Sequence, residues 1–262
     1  KPSGLSHRNW TTDLGQVNRR NKVLGIMKLA ILTTNTLHHS YFAKCLIESY
    51  AATSVFCETD SLSAPFETAH SFENERDDYE KQLWFEGRRE QISNFAAVET
   101  SSNINDPKIV NALWHLAPDV TIVFGTRKLK KTTIAACGLV LNLHGGDPQE
   151  YRGLDSHLWA IYHKDFQGLK TTLHILNDKL DDGPIIDVRA LKLNAGMSIK
   201  ELRAANTEVC VNLAQSALAQ FEDTGEISHS SQMSQGRYYS FMPAVLKEDC
   251  VNKFHKHTGF AR

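Results

Sequence analysis

No two cysteines in this 262-residue sequence are spaced C-x-x-C, and the five present (Cys45, Cys57, Cys137, Cys210, Cys250) are scattered and odd in number. That excludes a zinc ribbon, argues against a disulfide framework, and favours a reducing, cytosolic setting. No apolar run approaches the ~20 residues of a membrane span. The opening KPSGLSHRNWTTDLGQVNRRNK has no apolar core of a secretory signal. No internal repeat or low-complexity tract appears. The twelve histidines include no H-E-x-x-H, and His157 and His163, six apart, do not share a helix face. No metal site is therefore expected.

Positive charge is also scarce where it would matter most. Residues 1–28 hold six Lys and Arg against one acid, and 237–262 hold five against two. The body between them, 29–236, carries eighteen basic and twenty-seven acidic residues. Nucleic-acid binding rests on neutralising phosphates with Lys and Arg, so a body this acidic argues against it. The basic ends read as solvated termini.

What is present is an alternation of short apolar strands and helix-like segments. Strands are expected at 28–33, 54–58, 96–100, 119–125, 139–144, 170–176 and 184–191. Helices are expected at 41–50 and 72–92, the latter with a favourable Asp77–Lys81 and an unfavourable Glu86–Glu90 spacing. Asn105-Asp106-Pro107 starts a helix through His115, with Pro in the first turn. Another helix opens at Asp155 or Ser156. Ser198, with Glu201 three residues on, is a capping box that starts a closing helix over 198–222. The order implies an α/β fold with a mainly parallel sheet, and after about 225 an irregular, small C-terminal appendage. In such folds sites form at the carboxyl ends of strands.

One strand end is unusually polar: LNLHGGDPQEYRGLDSHLW, 141–159. Asn142 and His144 are two apart, so on a strand they share a face. An amide donor beside an imidazole suits a reaction that develops negative charge on a carbonyl oxygen and moves a proton near neutral pH. The acidic turn LDDG (180–183) offers Asp181 or Asp182 as the carboxylate that orients the imidazole. Taken alone, Asn-x-His at a strand end is more often satisfied local hydrogen bonding than a site.

LNLHGGDPQEYRG followed by LDDGPII resembles the 10-formyltetrahydrofolate-dependent formyltransferases, whose pattern is N-x-H, a loop, then L-D-x-G. The resemblance covers roughly residues 28–205 and implies a Rossmann-like fold. It places the catalytic residues on Asn142, His144 and Asp181. Asp182, at the variable position, becomes a neighbour expected to raise the Asp181 pKa by like-charge repulsion. It also places folate contacts on Thr126, Arg127, Lys128 and Leu129, and on the Asn177, Asp178 and Leu180 region. The domains expected are an N-terminal extension (1–27), a catalytic domain (28–205), and a closing helix with a small C-terminal region (206–262).

The turn after the first strand, TTNTLHHS, lacks the glycines that a glycinamide-ribonucleotide enzyme would use to cradle phosphate. A methionyl-tRNA enzyme would carry a substantial basic C-terminal domain. The Gly-Gly-Asp loop is most similar to that of the sugar-nucleotide branch. That implies an acceptor amine on a nucleotide-linked 4-amino-4,6-dideoxy sugar, GDP-perosamine or a dTDP equivalent, in O-antigen synthesis. Asn35, Asp147, Tyr151 and Arg152 are the expected acceptor contacts, and His38-His39 ends the first strand where a phosphate or sugar would lie. Trp84-Phe85 and Tyr238-Tyr239 read as core aromatics more readily than as base-stacking pairs. A methionyl-tRNA formyltransferase-like enzyme, a formyltetrahydrofolate hydrolase and a nucleotide-sugar sensor are the alternatives, and a cytosolic homodimer is the family-based expectation.

Overall fold

The computed structural model describes residues 26–261. The expected N-terminal extension lies outside the described residues except for Ile26 and Met27, and Met27 is buried. The chain runs β1 (Leu29–Thr34), α1 (Leu37–Ser49), β2 (Thr53–Glu58), α2 (Ser71–Phe85), β3 (Val98–Ser101) and α3 (Pro107–Leu116). It continues through β4 (Val120–Phe124), α4 (Lys131–Ala135), β5 (Leu139–His144), β6 (Tyr151–Gly153), α5 (Ser156–Tyr162), β7 (Lys170–Ile175) and β8 (Ile185–Ala190). It closes with α6 (Leu202–Thr224), β9 (Arg237–Tyr239) and α7 (Ala244–Thr258).

The main sheet is seven-stranded, in the order 3-2-1-4-5-7-8. Strands β1 to β5 pair in parallel, as expected, and β7 and β8 extend that sheet antiparallel at one edge. Period-two alternation explains how both faces are covered. Leu29 and Ile31 pack with Phe42 and Leu46 of α1 and with Cys210, Leu213 and Ala217 of α6. Ala30 and Leu32 pack on the opposite face against Ile109 and Leu113 of α3. Each Leu or Ile buried this way contributes about 2 kcal/mol. Strand order reverses between β1 and β4, and the crevice at such a reversal is where α/β folds bind ligands.

Local signals set several boundaries. Asp106 accepts a hydrogen bond from the Lys108 amide ahead of Pro107, and Ser198 and Glu201 form the full capping box. Helix α2 is shorter than expected. It stops at Phe85 because Glu86 takes a left-handed conformation (φ 53°) and Gly87 follows at φ 81°. The Glu86–Glu90 repulsion therefore never arises, and Lys81 pairs with Asp78 (2.6 Å) while Asp77 serves Arg76 and Arg203.

The C-terminal region is more ordered than its sequence suggests. Helix α7 buries Cys250, Val251 and Phe254 against Ala160 and Ile161 of α5, with Ile199 and Leu202 in the same cluster. Strand β9 pairs in parallel with β6. The expected boundary at 205/206 falls inside α6, so the appendage shares its helix and its core with the catalytic part. Among the described residues no helix is long and apolar enough to cross a membrane.

Candidate active site

Strand β5 carries Asn142 and His144 to the end of the parallel sheet, where both line one cavity of about 680 Å³. The antiparallel register of β7 sets His174 directly beside Asn142. Asn142 Nδ2 donates to His174 Nε2 (3.1 Å), and His174 Nδ1 donates to the Ile175 carbonyl (3.0 Å). These contacts engage both ring nitrogens of His174 and leave the second Asn142 amide hydrogen for another acceptor. His144 Nε2 donates to the Tyr151 carbonyl (2.7 Å).

Asp181 stands between the two imidazoles. Its Oδ2 is 3.8 Å from His144 Nδ1 and its Oδ1 is 3.8 Å from His174 Nε2, with all three side chains buried. These separations exceed a hydrogen bond, so the carboxylate acts on the rings through its charge. Three features hold the turn that carries it. The Gly153 amide donates to Asp181 Oδ2 (2.9 Å), the Arg152 guanidinium donates to the Leu180 carbonyl, and the Gln232 amide donates to the carbonyls of Asp181 and Gly183. Asp181 itself is left-handed (φ 48°). A Cβ at Gly183 would collide with the Ile175 carbonyl oxygen, which explains the glycine of LDDG.

Burial pushes the Asp181 carboxyl up, but the His174 contact, the His144 ring and the Gly153 amide together bring it down to about 2. The expected rise from Asp182 is not found. Asp182 pairs with Lys179 (3.3 Å), and the largest influences on Asp181 come from burial, the two histidines and the Gly153 amide. For His144 burial dominates and lowers the pKa, against the opposing pull of Asp181 and the Tyr151 carbonyl. Asp181 is thus ionised and His144 neutral near pH 7, with an open Nδ1 facing a carboxylate that favours its protonation. The Gly145-Gly146 pair lets the chain turn tightly at this point, since a Cβ on Gly146 would lie 3.0 Å from His144 Nε2.

The cavity is lined by the carboxyl ends of β4 and β5, by His174 of β7 and by the segments that follow β4 and β7. Thr126, Arg127, Lys128, Leu129, Asn177 and Leu180 all line it. Asp178 does not; it faces Lys131 (3.1 Å), whose ammonium lowers its pKa. Arg127 is anchored rather than free. It forms an ion pair with buried Glu58 and donates to the carbonyls of Asp60 (3.2 Å) and Ser102 (3.1 Å).

None of the four expected acceptor contacts lines the cavity, and each is engaged within the fold. Asn35 Oδ1 accepts from the Ile92 amide (3.4 Å), and Asp147 accepts from the Gln149 amide and pairs with Lys170 (3.2 Å). Tyr151 donates its hydroxyl to Asp165 (3.0 Å), and Arg152 holds the Leu180 carbonyl. The polar groups of loop 145–153 are used in building the loop and the adjoining turn. Trp84 stacks on Tyr41 at 4.3 Å and Tyr239 on Trp159 at 5.1 Å, in keeping with core aromatics, while Tyr238 is exposed and lines the cavity.

Sequence reading missed His174, Gln232, Arg76 and Arg203. For His174 a signal existed: a lone histidine inside the apolar strand KTTLHIL, next in sheet order to β5. The other three had none, since their positions depend on contacts across 49 to 126 residues.

A family model described as Formyl transferase matches residues 50–218. The chain belongs to the formyl transferase family. Phosphoribosylglycinamide formyltransferase of Escherichia coli is 27% identical over 111 residues, 42% of this chain and 52% of that enzyme. The bifunctional polymyxin resistance protein ArnA of Wigglesworthia glossinidia brevipalpis is 29% identical over 128 residues, 47% of this chain and 19% of that protein. The chain thus spans about half, or less, of the length of these curated relatives.

Solved structures extend the likeness of this formyl transferase at the level of fold. A likely sugar N-formyltransferase from Mycobacterium tuberculosis superposes with a TM-score of 0.56 at 19% identity, over 82% of this chain and 75% of that one. A 4-N formyltransferase from Francisella tularensis gives 0.54 at 18%, over 82% and 77%. A sugar N-formyltransferase from a Shewanella species gives 0.57 at 12%, over 88% of each chain.

Proposed function

We propose that this formyl transferase moves a formyl group from 10-formyltetrahydrofolate to the amine of a nucleotide-linked 4-amino-4,6-dideoxy sugar, GDP-perosamine or a dTDP equivalent, for O-antigen synthesis. The observation that carries the reading is the convergence of Asn142, His144 and Asp181 on one cavity, beside a slot between Thr126–Leu129 and Asn177–Leu180. Leu129, Leu176 and Leu180 give that part of the cavity apolar lining beside the polar Thr126 and Asn177, which suits a flat ring with a polar rim. Among the fold neighbours, one sugar 3N-formyl transferase was solved with dTDP and 5-N-formyl-THF, and one HypX structure holds tetrahydrofolic acid.

The folate supplies the formyl carbon; the chain supplies placement and charge. The unused Asn142 amide hydrogen stabilises negative charge developing on the carbonyl oxygen. His144 Nδ1, neutral and beside an ionised carboxylate, takes up the proton released by the acceptor amine as the new C–N bond forms, and a proton is returned to the folate nitrogen as its bond to the formyl carbon breaks. Asp181 stabilises the imidazolium so formed. Holding donor and acceptor in one cavity removes much of the entropic part of the barrier. A cytosolic homodimer remains part of this proposal.

The test is to incubate the protein with 10-formyltetrahydrofolate and a panel of amino-sugar nucleotides and read formylated product by mass. Product with a 4-amino sugar supports the reading. Folate deformylation at equal rate without any sugar would assign a hydrolase instead.

A further inference from the structure

The acceptor side of the cavity holds a cluster that the reaction scheme above does not use. Arg76 of α2 and Arg203 of α6 line the same wall as His38, at the start of α1. Their side chains are only about a fifth exposed, 19% and 20%. Carboxylates hold both guanidiniums from behind. Arg203 donates through Nε and Nη2 to Glu80 (2.6 and 2.5 Å) and through Nη2 to Asp77 (2.7 Å), while Arg76 donates through Nε and Nη2 to Asp77 (3.2 Å). Glu80, Asp77 and Glu73 are not part of the cavity wall, so the layer that faces the cavity is the cationic one.

The charge of the whole wall points the same way. Its charged side chains are Arg76, Arg127, Lys128, Lys179 and Arg203 against Asp155 and Asp181. Asp155 is occupied by the Met242 amide (2.8 Å) and Asp181 by the Gly153 amide. Arg127 is matched by Glu58 and Lys179 by Asp182 (3.3 Å), so the cationic groups that the wall gathers away from Asp181 are Arg76 and Arg203, a pair suited to an anionic ligand.

We infer that Arg76, Arg203 and His38 seat the diphosphate of a nucleoside-diphosphate sugar, with the sugar amine directed toward Asn142 and His144; this rests on the acceptor class proposed above. Two guanidiniums fixed by their own carboxylates keep their Nη1 donors for phosphate oxygens and lose little side-chain entropy on binding. His38 adds a neutral ring. Its Nδ1 bonds the Thr36 hydroxyl (2.9 Å), and its ring lies 3.9 Å from that of His39, tilted by 36°. Burial first, then His39, Arg203 and Arg76, hold its pKa well below the ordinary value. The turn after β1 has no glycine, so recognition by side chains replaces a backbone cradle.

The experiment titrates the full chain with GDP, dTDP and inorganic pyrophosphate, and separately with tetrahydrofolate and its polyglutamate, by calorimetry. The variants are R76Q, H38Q and R203K, each checked for an unchanged melting temperature. R203K keeps a charge opposite Glu80, so it remains interpretable if R76Q does not fold. The expected result is a tenfold or greater loss of nucleoside-diphosphate affinity in R76Q and R203K, with tetrahydrofolate affinity unchanged. Wild-type affinity in both variants, or no diphosphate binding by the wild type, overturns the inference. So does a loss confined to the folate polyglutamate. The acceptor reading fails separately. If diphosphates bind through Arg76 but no amino sugar is formylated, the subsite stands and the function falls. If formylation proceeds with an unchanged KM in R76Q, the subsite falls and the function stands.

Discussion

The single side-chain amide of Gln232 donates to the carbonyl oxygens of both Asp181 (3.0 Å) and Gly183 (2.9 Å). The segment after α6 thereby ties down a turn whose central residue is held left-handed. A hydrogen bond of this kind is worth about 1 kcal/mol net. Replacing Gln232 by Ala should lower kcat roughly tenfold by loosening Asp181, with little change in folate KM. Steady-state kinetics with the folate varied checks it, and a pure KM effect would exclude the positioning role.

Asp181→Asn removes the charge that both imidazoles face. The loss in kcat should be ~10²- to 10⁴-fold, the range of a missing proton-transfer partner. The substitution also reports on stability. The carboxyl titrates at about 2 in the folded chain, below its unfolded value, so its contribution is fully present above pH ~4 and is lost as pH falls through about 2. Denaturant midpoints at pH 5 and pH 2.5 should therefore differ less in Asp181→Asn than in the wild type.

Buried neutral histidines set a second acid limit. Burial, followed by the charge of Arg203, brings His39 down to about 3, and burial brings His157 down to about 4. Each binds a proton on unfolding at pH 5 but not in the folded state, so stability is present above pH ~6.5 and falls as the pH drops. Each should remove about 2 kcal/mol between pH 6.5 and 5. Urea midpoints across that window check the slope, and His157→Gln should flatten it. His144 behaves alike, so the acid limb of kcat/KM should lie below pH 6.5.

Gly183→Ala tests the turn itself. Its Cβ would meet the Ile175 carbonyl, which is backbone and cannot swing aside. The variant should lose about 3 kcal/mol of stability, or displace Asp181 and lose activity while folded. Thermal melts and turnover measured together distinguish the two outcomes.

Particular elements show what could be read in advance. Strand β5 and its polar end were legible because an apolar run followed by Asn-x-His fixes both the strand and the shared face. The Asp106-Pro107 start and the Ser198–Glu201 box were legible because capping is local chemistry. Helix α2 was overextended because its last turn is as charged as its middle; the stop depends on one glutamate turning left-handed before Gly87. The contacts made by loop 145–153 were not legible. Its sequence shows polar groups but not that Lys170, Asp165 and the Leu180 carbonyl already occupy them.

The sequence by itself determined the alternation of elements and the pairing of Asn142 with His144 on one face, since both follow from the period of neighbouring residues. Only the tertiary structure decided that His174 stands beside Asn142, through antiparallel register, and that Gln232 clamps the turn of Asp181. It alone brought Arg76 and Arg203 together on one wall. Those relationships are closed across the chain by packing, and no local pattern encodes which distant side chain arrives.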